Sequence, residues 1–459
     1  MPRLPEVGWA SSPTRGAPKR KCPSLFQNAT PTKKKPPSPT LPLLLLSGLL
    51  QACTTTSIQT EYAFNALARA KHLDLGGDGY IIGIEKRSRT AIGNPAPSYN
   101  VRYQPLPGDA PITEVRNKRF HAVTNDTDAL VVSHIASFFG QRQYPYNAYG
   151  EYRESDLGYE AGYHGLQAFQ ADLQNRLLAE QQGGEPYTHI LLFAMGWNNT
   201  QHRAIWNCNQ ILRNMAEVAG EKEIPFRPLS IVLTWPSVWK PISDNWVERR
   251  LAGHVGSYFN KVNDADEIGY TYANWILNKQ LAQVKTKAGD GKFPKVIAIG
   301  HSMGARILSR ALFSQGHLKG EVEAGGTADL FIGIQGAFSV NRFLAGKGVE
   351  GAPYAGFKEI PTPIVLTTTR KDLATPVARF TSGASHVGSL FGLNIAKEHP
   401  DTFNVKGWPE AFPLALTNQQ VTFVDCDSFL DGHEDFLDKE MAKLLWGIMG
   451  VDFLVAPGY

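Results

Sequence analysis

From residue 189 onward, short apolar runs recur at helix-length intervals: HILLFAMGW (189–197), LSIVLTW (229–235), KVIAIG (295–300), LFIGIQG (330–336), PIVLTTT (363–369) and QVTFVD (420–425). None shows the polar alternation of a half-exposed strand, so each needs apolar cover on both faces. The segments between them, such as 303–313, are long enough for right-handed helical crossovers. This rhythm predicts an α/β chain: a mostly parallel, doubly wound sheet with helices on both faces. Its functional residues are expected beyond the carboxyl ends of the strands. A last helix is marked by Leu437, Met441, Leu444, Leu445 and Ile448, which share one face. With 42% apolar residues, nine Trp and 23 Phe, the chain can fill two apolar layers.

The region before this rhythm reads differently. Residues 61–187 mix helical and extended signals and are expected to form an N-terminal extension ahead of a main domain at 188–459. One helix stands out from Gly158 to Gln182, where Tyr163, Leu166, Phe169, Leu173 and Leu177 recur every three or four residues. GGDGYIIG (76–83) is rich in glycine but lacks the preceding strand and following helix of a phosphate-binding loop, so it reads as a turn. Nucleotide binding therefore has little support.

The formal charge of +4 is concentrated at one end. Residues 1–52 hold eight Lys/Arg and one acid, Glu6, which leaves 53–459 with 38 basic and 41 acidic residues. That balance argues against a nucleic-acid partner. Lys33-Lys34-Lys35 precede LPLLLLSGLLQA (41–52), a run too short to span a bilayer and suited to the apolar part of an export signal. It ends in Leu50-Gln51-Ala52-Cys53, which resembles the bacterial lipobox. The resemblance implies a signal peptide over 1–52, lipidation of Cys53, a polar tether to residue 60 and attachment to a membrane of the cell envelope. Thr54, in place of Asp, implies the outer membrane. The alternatives are a basic tail before a buried apolar segment, or a basic patch like a nuclear-localisation signal. Cys208 and Cys426 remain, with no spacing that demands a pair. No CxxC or HExxH pattern appears, so no metal and no cofactor is expected.

The stretch VIAIGHSMGARILSRAL (296–312) carries the strongest chemical signal. Gly300-His301-Ser302-Met303-Gly304 lies between a predicted strand and a predicted helix, the context of a nucleophile turn. Gly300 and Gly304 would let strand and helix approach, and the Met303 amide at the helix start is placed to hold a developing oxyanion. A serine hydroxyl needs a base. His433 follows the last strand and precedes the last helix; His386 is the second choice, and His301 reads as packing beside the turn. The orienting carboxylate is assigned to Asp372, past a strand end, with Asp425 and Asp427 as rivals. The order Ser, Asp, His is the one expected of this arrangement. A second oxyanion donor is assigned to the Trp197 amide after Gly196, with Asn198 and Asn199 pinning the loop; the alternative is a turn without catalytic consequence.

Together FAMGWNN, VLTWPS (232–237), DADEIG (264–269) and IGHSMGAR resemble a poorly characterised branch of the α/β-hydrolase superfamily over roughly 187–450. The branch shows His-Gly-aromatic-Asn where this chain has Met195 in the place of the histidine, so the oxyanion loop is expected to be altered. The resemblance supplies no substrate and does not reach residues 54–187; the set Ser302, Asp372 and His433 reads as a serine hydrolase whose default substrates are carboxylic esters, esterase- or lipase-like, while thioesters and amides use the same residues. The alternative is a hydrolase-like lipoprotein without activity that binds lipid or envelope protein. Segments 236–262 and 377–419 read as long insertions near strand ends whose aromatic residues suit a lid over an acyl pocket; the alternative, of equal weight, is surface packing alone.

Overall fold

The computed structural model describes residues 75–88, 128–139, 142–144, 159–237, 261–262, 264–288, 293–317, 328–346, 348–372 and 383–450. The basic leader, the apolar run 41–52 and Cys53 lie outside these, as does most of the 236–262 segment. No helix among the described residues is long and apolar enough to cross a membrane.

Among the described residues, ten strands form a single sheet: β1 (Gly79–Ser88), β2 (Asp128–Phe139), β3 (Arg142–Tyr144), β4 (His189–Ala194), β5 (Pro228–Thr234), β6 (Lys295–His301), β7 (Leu330–Ile334), β8 (Ile364–Thr368), β9 (Phe403–Gly407) and β10 (Val421–Asp425). Their order across the sheet is β3-β2-β1-β5-β4-β6-β7-β8-β10-β9. Within this sheet β2 alone runs against the other strands. This is the α/β-hydrolase arrangement, and each of the six apolar runs supplies a strand.

The absence of polar alternation has a direct cause. Ile190, Leu192 and Ala194 of β4 enter one apolar layer, while Leu191 and Phe193 enter the other. Helices α1 (Tyr159–Gln182), α3 (Leu281–Ala288), α4 (Met303–Leu312) and α5 (Leu390–Glu398) cover the first face. On the second lie α2 (Gln201–Glu221) and α6 (Lys439–Ile448), started by the side-chain caps Thr200 and Asp438. Leu166, Phe169, Leu173 and Leu177 of α1 are buried, as their spacing predicts. Cys208 and Cys426 are buried, unpaired thiols in the second layer.

Two expectations need correction. The sheet does not begin near 188: β1 pairs with β5 in parallel and β2 pairs with β1, so part of the supposed extension belongs to the main sheet. GGDGYIIG is accordingly the entry to β1 and not merely a turn. Glycine disguises the strand because the His134 ring of β2 packs directly over Gly83, where a Cβ would collide with it. Nor is the described part of 377–419 a lid. Residues 390–398 form α5, and 403–407 form β9, the edge strand beside β10.

Behind α4 lies a buried ionic cluster. Arg306 donates to both oxygens of Asp266 at 3.0 and 2.7 Å, and Arg342 donates to the same carboxylate at 3.1 and 3.2 Å. Glu350 joins the two arginines at 2.7 and 2.9 Å. All four side chains are almost fully shielded from solvent. Burial alone would raise the pKa of each carboxylate, but the guanidinium charges outweigh it and hold both below their ordinary range.

Removing one partner of such a cluster costs about 3–5 kcal/mol, because it strands buried charge. Asp266→Asn is therefore expected to lose stability of this order in urea denaturation at pH 7. A depressed carboxylate contributes stability above its unfolded pKa of roughly 4 and loses it as pH falls further. The gap between variant and wild type should accordingly narrow on acidification below that pH.

Candidate active site

Ser302 stands between β6 and α4 with φ 53° and ψ −119°, a conformation that a residue bearing a Cβ rarely adopts. Its backbone is held on both sides. The Ser302 N–H donates to the Ile334 carbonyl at 2.9 Å, and its own carbonyl accepts from Ala305 and Ala337 at 3.1 and 3.0 Å. The flanking glycines are steric requirements. A Cβ on Gly300 would lie 2.5 Å from the Ala305 backbone, and one on Gly304 would run into the Ala194 carbonyl. Met303 is the first residue of α4, so helix geometry gives its amide no acceptor within the helix. Ser302 as a whole is 7% exposed.

Asp372 and His433 come together although 61 positions separate them. Asp372 lies shortly after β8, and its side chain is fully buried; His433 lies between β10 and α6. The His433 Nδ1 is 2.8 Å from Asp372 Oδ2. Since the carboxylate accepts, Nδ1 carries the proton and Nε2 presents its lone pair when the ring is neutral. His433 is tied to the serine turn through the neighbouring residue. The His301 Nε2 lies 3.0 Å from the His433 carbonyl, and the two rings are 4.9 Å apart.

The rival residues do other things. Asp427 accepts from the Thr369 hydroxyl at 2.9 Å and the Arg370 amide at 2.6 Å, while its second oxygen and Asp425 bind the Arg370 guanidinium. They shape the loop that delivers Asp372. His386 is fully buried, and desolvation lowers its pKa to about 4, which keeps the ring neutral near pH 7.

The loop after β4 runs against the serine. A Cβ on Gly196 would lie 2.7 Å from the Ser302 Cβ and 3.1 Å from its Oγ, so only glycine brings this backbone so close. Asn199 pins the loop by donating to the Gly196 carbonyl at 3.1 Å. Asn198 serves through its backbone instead: its side chain is exposed, its φ is 64°, and its amide donates to the Ser237 carbonyl at 3.2 Å. Two pins were not assigned from sequence. The Trp235 indole donates to the Met195 carbonyl at 2.8 Å, and the Ser237 hydroxyl donates to the Asn199 carbonyl at 2.6 Å while accepting from its amide at 3.1 Å. Trp235-Pro236-Ser237 and Gly196-Trp197-Asn198-Asn199 thus form one hydrogen-bonded unit. The available signal was a strand ending in Trp and Ser immediately beyond an apolar run. Met195, in the place of a histidine, buries its side chain in the second apolar layer.

No metal-binding group of three or more His, Cys, Asp or Glu occurs among the described residues.

The sequence model of a family described as an alpha/beta hydrolase of unknown function (DUF900) matches residues 167–325. The matched stretch runs from α1 through the serine turn and α4, and ends before Asp372 and His433. No curated protein matches the chain. Sheet order, serine turn and family match define the class: this is a protein of α/β-hydrolase fold. Within that class, residues 167–325 are similar to a family of unknown function.

The glycines predict two different outcomes. Gly304→Ala forces a side chain into backbone and should destabilise the fold by about 1–3 kcal/mol in thermal or urea denaturation. Gly196→Ala places its methyl group at the Ser302 side chain, and should slow phosphonylation of Ser302 by a fluorophosphonate on the order of 100-fold.

Proposed function

We propose that the protein is a serine hydrolase of carboxylic esters, with Ser302 as nucleophile, His433 as general base and Asp372 as the group that orients it. The observation carrying this reading is the 2.8 Å bond between His433 Nδ1 and the fully buried Asp372 carboxylate, in a loop tied to the strained serine turn. A scaffold has no physical need for this combination.

The chemistry follows from the groups. Ser302 Oγ attacks the ester carbonyl carbon as His433 Nε2 takes the hydroxyl proton. The carbonyl oxygen gains the negative charge, and the Met303 and Trp197 amides are the donors assigned to it. The Asp372 carboxylate accepts from Nδ1 throughout and stabilises the imidazolium. His433 then returns its proton to the leaving alkoxide, which departs as the alcohol and leaves Ser302 acylated. Water attacks the acyl carbon as His433 takes one of its protons. Collapse of this second tetrahedral species breaks the bond to Ser302 Oγ, to which His433 returns its proton, so the carboxylic acid leaves and the Ser302 hydroxyl and neutral His433 are restored. Esters are the favoured class because an alkoxide leaves more readily than an amide nitrogen; thioesters follow the same route.

Labelling tests the assignment directly. Wild-type protein should react with a fluorophosphonate at Ser302, and Ser302→Ala should abolish both labelling and hydrolysis of p-nitrophenyl esters of graded chain length. His433→Ala and Asp372→Asn should each lower the turnover rate by a factor on the order of 10⁴. Folded wild-type protein that resists the probe would instead favour an inactive lipid- or protein-binding scaffold.

The same proposal puts the enzyme at the cell envelope through Cys53. The support is the apolar run 41–52 closing on Leu50-Gln51-Ala52-Cys53. In a bacterial host, radiolabelled palmitate should be incorporated into the wild type and not into Cys53→Ser, and the variant should leave the membrane fraction. Equal incorporation in both would remove the anchor from the reading.

A further inference from the structure

Between β7 and the loop at 336–339 lies a residue whose backbone is held out of its ordinary range. Gln335 has φ 45°, in the left-handed region that glycine or asparagine normally fills. It is fully buried, and two features fix it in that state. Its amide donates to the Thr367 hydroxyl of β8 at 3.1 Å, and Gly388 lies so close that a Cβ there would collide with the Gln335 backbone. The consequence is the aim of the side chain: Gln335 Nε2 donates to the Gly432 carbonyl at 3.0 Å.

The next carbonyl along the chain, that of His433, is taken by a second buried side chain. His301 Nε2 lies 3.0 Å from it, and because a carbonyl only accepts, Nε2 must carry the proton. The His301 ring is stacked on Phe436 at 3.8 Å between centroids, which fixes its plane. Burial, and to a lesser degree the nearby His433, hold the His301 pKa well below its ordinary value, so the ring is neutral. Gln335 Oε1 and His301 Nδ1 find no hydrogen-bond donor among the described residues. The single side-chain hydrogen bond each makes there goes to the backbone of the His433 loop.

We propose that His301 and Gln335 are positioning residues that clamp the consecutive carbonyls of Gly432 and His433, holding the His433 imidazole on Asp372 and fixed relative to the serine turn. Asp372 alone leaves the ring one hinge, at Nδ1; a backbone held at two points removes the remaining freedom of the loop. The clamp is anchored on the ends of β6 and β7, the same strand ends that bear Ser302 and accept its amide. Base and nucleophile are thereby referenced to one rigid frame, and a misplacement of about 1 Å would cost on the order of 100-fold in rate.

The inference rests on His433 being the general base, and its test separates the two claims. Gln335→Met and His301→Phe keep volume and, for the latter, the stack on Phe436, while removing each donor; His301→Gln keeps an N–H at about the same reach. Proton NMR of the wild type should show a strongly deshielded His433 Nδ1 proton, assigned by its loss in His433→Gln. In the Gln335→Met/His301→Phe double variant that signal should broaden or vanish, and fluorophosphonate labelling should slow about 100-fold. Each single variant should slow labelling about tenfold, which decides the matter if the double variant does not fold. His301→Gln should retain the signal and label near the wild-type rate, a rescue that mere filling of space does not predict. A folded double variant with an intact deshielded proton and wild-type labelling overturns the clamp. Wild-type protein that shows the proton but never labels overturns the hydrolase reading, and the NMR comparison then decides the clamp alone.

Discussion

The site depends on one backbone constraint: an L-residue, Ser302, held at φ 53° and ψ −119° where β6 turns into α4. A residue in such a region costs about 1–3 kcal/mol, and persists only where its surroundings over-determine it. Here the surroundings do so from three directions. The Ile334 carbonyl and the Ala337 amide hold the peptide groups on either side, and Gly300 and Gly304 remove the side chains that would push the helix away from the strand. The turn projects its hydroxyl against Gly196 because nothing larger would fit there.

The buried ionic cluster belongs to the same problem. Arg306 sits one turn into α4 and, besides binding Asp266 and Glu350, donates to the Ala337 carbonyl at 3.3 Å. Ala337 is the residue whose amide holds the Ser302 carbonyl. Glu350 also accepts from the Ser339 amide at 2.9 Å. The charges therefore grip α4 and the loop after β7 together, so the elbow cannot relax without moving a buried ion pair. An apolar core of equal volume would cover the helix but would not fix the direction of these backbone groups. Desolvating the four charges is costly, and their mutual geometry offsets that cost.

Legibility followed burial. The six central strands could be read because cover on both faces demands uninterrupted apolar runs, as in Val296 to Ile299. Strand β1 hid behind Gly83, required by the His134 ring, and β9 hid because an edge strand needs less apolar cover: Asn404, Val405 and Lys406 are only partly buried. Ser302 was legible because strand, glycine pair and helix are adjacent in sequence. Asp372 and His433 were nominated by position relative to strand ends, since their bond is formed only by the tertiary fold. Gln335, Trp235 and Ser237 were not assigned roles. Their work is done through backbone carbonyls and amides of distant residues, and a carbonyl leaves no mark in the identity of the residue that bears it.

The distribution of the site over the sheet explains why these parts can be held so closely. Gly196 follows β4, Ser302 follows β6, Gln335 follows β7, Asp372 follows β8 and His433 follows β10, and these five strands are contiguous in the sheet and parallel. In a parallel sheet all carboxyl ends lie on one edge, so neighbouring strands deliver their next residues into a common space without long loops. Each group in the set is at most a few residues from a hydrogen-bonded strand, except His433, which stands eight positions beyond Asp425. The longest tether is the one that receives extra restraint, from Gln335 at Gly432, His301 at its own carbonyl and Asp372 at its ring. Precision at this residue has to come from contacts across the sheet, because the chain leading to it is too long to supply it.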